Sequence, residues 1–386
     1  MLILTRSIVL GLLGSTSLAL ASPAAEPAEG NRLIPRGSAC TYSGVNGAAA
    51  AIAGKAGCSS ITLNNVAVPA GTTLDLTGLA AGTKLRTLHK PVIFEGTTTF
   101  GHKQWPGPLI SISGTNIAVS GAAGHVIDGQ GARWWDGKGS NIKTNIKPKF
   151  FFAHNLKGAS TITGLNIKDT PVQVFSIDSS SGLTISGVTI DNRNGDKGSL
   201  GHNTDGFDIG DSDHITITGA TVYNQDDCLA INSGTNIIFS GGYCSGGHGL
   251  SIGSVGGRSN NVVDTVHISN TQIVNSQNGV RVKAVAGATG SIKGVTYQDI
   301  TLSGITSQGV TIRQDYTNSG YTGNPTTQVP ITGLTLNNVH GTVTSSGTDI
   351  TVECGSSASC SGWIWTKVAV SGGKADLCKN APANTC

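Results

Sequence analysis

A three-residue pattern recurs along the chain: an apolar residue, a hydroxyl residue, and then glycine or, once, asparagine. Each copy is followed by a further alternating apolar pair. The seven copies begin at Val119, Ile162, Ile185, Ile217, Phe239, Ile268 and Ile331. Successive copies lie 22 to 32 residues apart, or roughly twice that distance. Alternation predicts β-strands, and a repeat of this length predicts a solenoid whose turns carry loops of different length.

We therefore predict an all-β fold, a right-handed parallel β-helix in which each coil packs its inward Ile and Val side chains against the next coil. The composition agrees, because the chain has 55 glycines and only one methionine. No linker, charge run or low-complexity segment divides residues 37–386, which predicts a single elongated domain. A β-sandwich is the alternative, but its hairpins would need more two-residue turns of the Asn-Gly type.

The stretch from Gly47 to Ala56 has the strongest helical propensity in the chain, because it contains a run of alanines. It lies between Cys40 and Cys58. Exposed strand edges at the end of a solenoid invite aggregation unless they are covered. We expect an N-terminal capping helix anchored by a disulfide, and we expect the last cysteines of the chain to hold down the final coils.

The beginning of the chain has the features of an export signal. A short basic start, an apolar stretch from Ile8 to Leu20 and a small-residue cleavage pattern predict a secretory signal peptide at residues 1–21. Residues 22–36 are rich in Ala, Pro and Glu, which is typical of a removable pro-segment, so the mature catalytic domain would span 37–386. No later run of 18 apolar residues follows. We expect a secreted, extracellular protein without membrane contact.

Eight cysteines form an even set, as expected of an exported protein with disulfides. Neighbourhood in the sequence favours four pairs, although the sequence alone leaves the connectivity open: Cys40 with Cys58, Cys228 with Cys244, Cys354 with Cys360, and Cys378 with Cys386. A zinc site is the alternative, but the chain has no Cys-x-x-Cys pair. We predict neither a metal nor a cofactor.

Four carboxylates and one histidine are grouped in three short segments at nearly constant spacing. From Asp205 to Asp226 is 21 positions, and from Asp226 to His248 is 22; Asp208 and Asp227 complete the group. Strands in neighbouring coils lie about 4.8 Å apart, so groups one coil apart become neighbours. In a chain with only 12% charged residues, such a patch is costly unless it performs chemistry. Calcium binding is the competing interpretation, because calcium prefers oxygen ligands.

Four ordered segments carry a resemblance to a known enzyme family: Asn203-Thr204-Asp205-Gly206-Phe207-Asp208, Gln225-Asp226-Asp227-Cys228, Gly247-His248-Gly249 and Arg281-Val282-Lys283. In this order and spacing they resemble the signature segments of the fungal endopolygalacturonases, which are pectin-degrading glycoside hydrolases. The likeness covers nearly the whole mature chain. It implies a parallel β-helix of about ten coils and hydrolysis of internal α-1,4 bonds of polygalacturonan with inversion.

Matching positions to this family implies a role for each acidic residue. Asp226 would be the general acid, Asp205 and Asp227 would bind and activate water, and His248 would support the acid and contact the sugar. Inversion uses an acid and a base roughly 6.5 to 9.5 Å apart. Crowding among the carboxylates would drive one of them to keep its proton.

The predicted substrate-binding residues surround this group. Arg281 and Lys283 alternate on one predicted strand, so both cations would face the acids while Val282 points inward. By resemblance the two cations grip a galacturonate carboxylate, and Tyr316 belongs to the same wall. These residues would give the site its preference for a charged sugar.

Two further substrate contacts, Asp208 and Asn203, have local alternatives. Asp208 could be a turn carboxylate bonded to nearby backbone. Asn203 and Gln225 could form backbone ladders inside the coil turns. Asp211 and Asp213 are expected to be loop residues near a subsite.

We expect the partner to be polygalacturonate or pectin, with a net charge of +3 adding weak attraction for a polyanion. Nucleic acid is not expected, since no basic stripe interleaved with aromatics is present. We expect a monomer, and the resemblance implies plant inhibitor proteins as further partners. The alternatives are an exo-polygalacturonase, a rhamnogalacturonan hydrolase, a pectate lyase or a non-catalytic carbohydrate-binding β-helix. The chain departs from the family pattern at Leu85–Pro91, where we expect a long loop or an error in the gene model.

Overall fold

The computed structural model describes residues 37–80, 90–142 and 144–386, and strands dominate this part of the chain. The strands form two long sheets with parallel pairing between successive coils. In the described residues, one sheet, called here the site sheet, stacks eleven parallel strands in chain order: Leu74–Ala80, Ile110–Thr115, Phe151–Lys157, Phe175–Asp178, Phe207–Gly210, Leu229–Ile231, Leu250–Val255, Asn278–Val285, Gln308–Thr317, Thr348–Glu353 and Leu377–Lys379. A short strand, Gly320–Tyr321, pairs antiparallel with Gln308–Thr317.

The second sheet, called here the back sheet, covers the other faces of the coils. Its strands in the described residues are Ala39–Gly44, Ser60–Val68, Lys90–Glu95, Thr97–Phe100, Ile117–Gly121, Val126–Asp128, Thr161–Thr163, Asn166–Lys168, Thr184–Ser186, Thr189–Asp191, Ser212–Thr218, Thr221–Tyr223, Gly234–Ser240, Tyr243–Ser245, Val262–Val274, Ser291–Ile305, Ile331–Thr332, Thr335–Val343, Cys360–Ser361, Ile364–Thr366 and Ala369–Ser371. Many coils contribute two short strands to it, joined by a tight turn.

The core lies between the sheets as ladders of identical or similar side chains. On the site sheet, Phe175 pairs with Phe207, Phe207 with Leu229, and Leu229 with Leu250, and all four side chains are buried. The rings of Phe175 and Phe207 stack with their centroids 5.3 Å apart. The parallel pairing of strands from one coil to the next confirms the predicted parallel β-helix and excludes the β-sandwich.

The glycine of the recurring pattern has a conformational cause. Gly187, Gly219 and Gly241 have φ angles of 60°, 62° and 65°, in the left-handed region that L-residues avoid. Asn270 takes the same place in a later coil with φ at 51°, and asparagine tolerates this region better than most residues do. The turn separates the two back-sheet strands of a coil, which explains why the sequence repeat ends there.

One α-helix, Gly47–Gly54, and three 3₁₀-helices, Lys55–Gly57, Gly131–Arg133 and Arg193–Ser199, occur in the described residues. The α-helix lies within the stretch predicted to be helical. It buries Ala48 and Ala51 and packs against the strand Ser60–Val68. Its function as a cap stays a prediction.

Four disulfides cross-link the chain, and they join Cys40 to Cys58, Cys228 to Cys244, Cys354 to Cys360, and Cys378 to Cys386. Arg36–Cys386 forms one compact unit. The predicted signal peptide at 1–21, the predicted pro-segment at 22–36 and residues 85–89 of the predicted loop lie outside the described residues. The rest of that loop, Lys90 and Pro91, begins a back-sheet strand. None of the helices described has the length and apolar character needed to cross a membrane.

Candidate active site

The residues predicted to form the site converge on one face of the solenoid. Their side chains all line a single cavity of about 730 Å³. The nine residues are Asn203, Asp205, Asp208, Asp226, Asp227, His248, Arg281, Lys283 and Tyr316. They belong to five successive strands of the site sheet or to the turns just before them. The sequence interval of 21 to 22 residues therefore corresponds to one coil, as predicted.

The turn that carries Asp226 and Asp227 is held from inside by a buried asparagine. The Asn224 side-chain amide donates to the backbone carbonyls of Thr204, Asp226 and Asp227 at 2.9 to 3.0 Å. The backbone N–H of His248 donates to the Asp226 carbonyl at 2.7 Å and links the next coil to this turn. These bonds fix the backbone from which the two carboxylates extend. Asn224 was not among the predicted site residues.

Asp226 accepts hydrogen bonds on both of its carboxylate oxygens. Oδ1 lies 3.0 Å from His248 Nδ1 and accepts the Asp227 backbone N–H at 2.8 Å. Oδ2 accepts the Asn203 side-chain amide at 3.0 Å. Burial alone would raise the pKa of Asp226, but the His248 hydrogen bond and charge, with the charge of Lys283, lower that pKa to about 2.

Asn203 links Asp226 to a distant loop. Its Oδ1 accepts the backbone N–H of Ser140 at 3.0 Å, across 63 positions of sequence. Since a backbone N–H can only donate, this bond fixes the amide orientation and turns its NH₂ group toward Asp226. The structure thus gives Asn203 an orienting contact with Asp226.

Gln225 has only structural partners. Its side-chain amide forms hydrogen bonds with Thr204, the Asn192 carbonyl and Asp196.

Asp227 is almost fully buried and is surrounded by donors. Lys283 Nζ lies 2.5 Å from Oδ2, while Oδ1 accepts Ser251 Oγ at 2.7 Å and lies 3.5 Å from Arg281 Nη1. Both predicted cations therefore face the acids, and Val282 points into the core as expected. Neither the contact of both cations with Asp227 nor the hydrogen bond from Ser251 to Asp227 was predicted from the sequence.

Asp205 and Asp208 have the opposite electrostatic environment. Burial, followed by the charges of Asp226, Asp208 and Asp227, raises the pKa of Asp205 well above its usual range. Burial raises the pKa of Asp208 to about 7, although Lys149 opposes the shift. Asp205 Oδ1 is buried and has no hydrogen-bond partner among the described residues. The crowded cluster thus holds protons on the Asp205 and Asp208 side and negative charge on the Asp226 side.

An aromatic wall completes this end of the cavity. The Tyr316 ring centroid lies 5.8 Å from the Arg281 guanidinium carbon and 5.5 Å from Lys283 Nζ. Tyr321 lies against Tyr316 at 6.0 Å and stacks on Arg313 at 4.0 Å. In the part of the chain that the structure describes, Arg281 Nε has no hydrogen-bond partner, so the guanidinium keeps a donor for a bound anion.

Ligand atoms of Asp226, Asp227 and His248 all lie within 4.8 Å of one another, which is close enough to hold a metal ion. Lys283 and Arg281 already neutralise Asp227. A divalent cation there would stand beside two fixed positive charges, which disfavours it electrostatically. The donor set is better suited to proton transfer.

The two remaining loop acids, Asp211 and Asp213, lie in different surroundings. Asp211 lines the cavity and accepts the Asn260 side-chain amide at 2.8 Å. Asp213 instead bonds His214, Thr235 and Asn236. Only the first of the two is therefore close to the predicted subsites.

Comparison with known proteins gives a consistent picture. Residues 58–386 match the family described as glycosyl hydrolases family 28. The chain is 86% identical over 385 residues to a polygalacturonase of Penicillium expansum, with 100% of each sequence covered. It is 59% identical over 349 residues to an endo-polygalacturonase of Sclerotinia sclerotiorum, with 90% of this chain and 88% of the relative covered. Among solved structures, endopolygalacturonase I from Stereum purpureum, complexed with two galacturonate, is 39% identical with a TM-score of 0.76, covering 88% of this chain and 96% of that one.

Proposed function

The chain belongs to glycosyl hydrolase family 28, and from this premise we propose that it is an endopolygalacturonase that hydrolyses internal α-1,4-galacturonosidic bonds with inversion. One observation carries the proposal: three clustered carboxylates, Asp205, Asp226 and Asp227, share a cavity with Arg281 and Lys283. Acids of unequal proton affinity supply the catalysis, and the cations favour a uronate over a neutral sugar. The solved relative that binds galacturonate supports the same substrate class.

We assign proton donation to Asp226, and water binding and activation to Asp205 and Asp227. In the resting cluster a proton belongs to Asp205 while Asp226 is ionised beside His248. The reactive arrangement, with the proton on Asp226 and Asp205 ionised, contains the same number of protons. Substrate binding removes water from around Asp226, which raises its pKa and favours transfer of the cluster's proton from Asp205 to Asp226. His248, whose Nδ1 lies 3.0 Å from Asp226 Oδ1, would orient this carboxyl and contact the sugar.

The stereochemical outcome rests on the family and is open to direct test. Asp226 and Asp227 have oxygen atoms within 4.8 Å of each other, closer than the roughly 6.5 to 9.5 Å usual between inverting carboxylates. In this assignment the attacking water is held between Asp205 and Asp227. The short distance from Asp226 to Asp227 therefore does not by itself distinguish inversion from retention. The anomer formed first does define it.

We propose that Arg281 and Lys283 bind the substrate carboxylate next to the scissile bond, with Tyr316 against the sugar. Lys283 has three donor hydrogens and uses one on Asp227, so donors remain for a uronate. Asp208 is proposed as a further sugar contact, and Asn203 contributes mainly through Asp226. We also propose that the protein is secreted after loss of residues 1–36, acts as a monomer, and is a target of plant inhibitor proteins.

The decisive experiment follows viscosity and reducing ends together during digestion of polygalacturonate. Internal cleavage lowers viscosity long before reducing ends approach completion. Release of monomer at nearly constant viscosity would indicate an exo-polygalacturonase. A product that absorbs ultraviolet light would indicate a lyase, and action only on rhamnogalacturonan would place the chain among the rhamnogalacturonan hydrolases. Binding without cleavage would make it a carbohydrate-binding β-helix.

A further inference from the structure

A cluster of buried charges lies behind the wall of the cavity. Arg313 on the strand Gln308–Thr317 donates from Nε and Nη2 to the two carboxylate oxygens of Asp315, at 2.9 Å each. Its Nη2 also lies 3.0 Å from Glu353 Oε2, on the next strand, Thr348–Glu353. Among the described residues that line the cavity, none belongs to this cluster. Any effect of the cluster on catalysis must therefore pass through other residues.

The position of Arg313 is electrostatically unfavourable unless its charge is balanced. Arg313 pairs in register with Lys283, so the two cations stand on neighbouring strands about 4.8 Å apart. Asp227 neutralises Lys283, while Asp315 and Glu353 neutralise Arg313. Apolar residues can often replace a buried ion cluster of this kind without loss of stability. Stability alone therefore does not explain why the chain places a second cation here.

Arg313 and Asp315 together hold the hairpin that carries Tyr321. The Arg313 guanidinium carbon lies 4.0 Å from the centroid of the Tyr321 ring. Asp315 Oδ2 accepts the backbone N–H of Gly323 at 2.7 Å, just beyond that tyrosine. Tyr321 pairs in register with Tyr316, and the two rings meet edge to face with their centroids 6.0 Å apart. The buried cluster thus fixes Tyr321 against Tyr316, which lines the cavity.

Tyr321 also lies beside the guanidinium of Arg281. Burial alone would lower the pKa of Arg281, but the charge of Asp227 and then the phenol of Tyr321 raise that pKa. The contact of Arg281 with Asp227 is long, at 3.5 Å from Nη1 to Oδ1, so this ion pair alone holds the guanidinium weakly. Arg281 Nε and the Tyr321 hydroxyl are both buried, and neither has a hydrogen-bond partner in the residues described. Packing against Tyr316 and Tyr321 is therefore an important restraint on the guanidinium.

We propose that Arg313 and Tyr321 are positioning residues, which hold the Arg281 guanidinium and the Tyr316 ring in the geometry that binds a uronate carboxylate. This inference rests on the proposed function, because it takes polygalacturonan as the polymer. Neither residue touches the substrate. The pair acts on substrate binding and leaves proton transfer to the acids of the earlier coils, so its loss should raise KM while kcat is nearly unchanged.

The first test is steady-state kinetics on polygalacturonate for wild type, Tyr321→Leu and Arg313→Lys. Tyr321→Leu leaves the ion cluster intact. Arg313→Lys keeps a cation for Asp315 and Glu353 but loses the planar group that lies on the tyrosine ring. In both variants KM should rise about 5- to 20-fold, and kcat should change less than about 3-fold. An unchanged KM in both variants, or a lower kcat at unchanged KM as expected from partial unfolding, would overturn the proposal.

Arg193→Lys is the matched control for Arg313→Lys. The Arg193 guanidinium carbon likewise lies over a tyrosine, 4.3 Å from the Tyr223 ring centroid, and its Nη2 pairs with an aspartate two positions away, Asp191. Tyr223 and Asp191 belong to the back sheet, and Arg193 is not among the described residues that line the cavity. This variant should therefore leave both kcat and KM unchanged. A rise in KM equal to that of Arg313→Lys would overturn the positioning role, because loss of any such contact would then disturb the enzyme.

Binding measurements separate this inference from the proposed function. Tyr321→Leu introduced into Asp226→Asn should weaken binding of an oligogalacturonate about 5- to 20-fold, but not binding of the same oligomer when fully methyl-esterified, because only the charged carboxylate engages Arg281. Equal weakening for both ligands would mean a general structural role and would overturn the proposal. If wild type cleaves no galacturonan yet the selective loss is present, the proposed function fails and the positioning role stands. If cleavage is normal and affinity is the same with and without Tyr321, the positioning role fails alone.

Discussion

Replacing Asp208 with asparagine should stabilise the protein at alkaline pH. In the native state, burial, together with the charges of Asp227 and Asp226, raises the pKa of Asp208 to about 7 from an ordinary value of 3.8. A carboxyl whose pKa is raised on folding contributes no penalty below its unfolded pKa. Its cost appears as pH rises from about 4 and is complete above about 7. Wild type therefore pays this cost at pH 8, and Asp208→Asn does not.

The magnitude follows from the rise of the Asp208 pKa from 3.8 to about 7. Each unit corresponds to about 1.4 kcal/mol, so the difference between variant and wild type should change by at most about 4 kcal/mol between pH 3.5 and pH 8. Asp205 titrates with the same cluster and shares part of this energy, so the value is an upper bound. The free energy of unfolding of the variant, relative to wild type, therefore increases with pH.

The assay is urea unfolding followed by circular dichroism at both pH values, with reversibility checked by dilution. Asp213→Asn is a control of opposite sign, because hydrogen bonds from Thr235, Asn236 and His214 lower the Asp213 pKa to about 2. That variant should lose stability relative to wild type as pH rises. A difference for Asp208→Asn that is the same at pH 3.5 and pH 8 would refute the electrostatic description of the cluster.

Further predictions concern catalysis. The variants Asp226→Asn, Asp205→Asn and Asp227→Asn should each lower kcat by several orders of magnitude with little change in KM, because each loses proton transfer in the transition state. Steady-state assays measure this effect. Near-normal turnover in one variant would show that its residue is not catalytic. Proton NMR of an oligogalacturonate digest should show the β anomer first, and an initial α anomer would mean retention through a covalent intermediate. Lys283→Ala or Arg281→Ala should lower kcat/KM on polygalacturonate roughly 30-fold or more. Methyl esterification of the substrate should lower the kcat/KM of wild type far more than that of either variant. An equal decrease in wild type and variants would show that these cations do not bind the uronate carboxylate.

The sequence predicts most of the fold because the fold is local and periodic. The left-handed turn after each short strand favours glycine or asparagine, so residues such as Gly219 and Asn270 make the repeat recognisable in the sequence. Coil spacing then places Asp205, Asp226 and His248 in one cavity without knowledge of any loop. These inferences use only backbone geometry, which the periodicity determines.

The partners within the site depend on side-chain directions and loops, which periodicity does not determine. Nothing in the spacing shows that the Lys283 ammonium binds Asp227 directly. The bond from Ser140 to Asn203 crosses 63 positions and arises from a loop whose path no repeat specifies. For the same reason the low pKa of Asp226 was not foreseen: it depends on how His248 Nδ1 is oriented toward that carboxylate.

The stacked architecture also determines which parts of the protein must stay folded for turnover. A solenoid has contacts almost entirely between adjacent repeats, so its ends can open while its middle remains intact. The acids, the cations and Tyr316 lie on, or in the turns just before, the fifth to ninth of the eleven parallel site-sheet strands in the described residues. Amide hydrogen exchange should therefore be fastest in the outermost coils and slowest around the strand Leu229–Ile231. Mild heating that frays the ends would leave the enzyme active, and inactivation would coincide with loss of protection in the central coils.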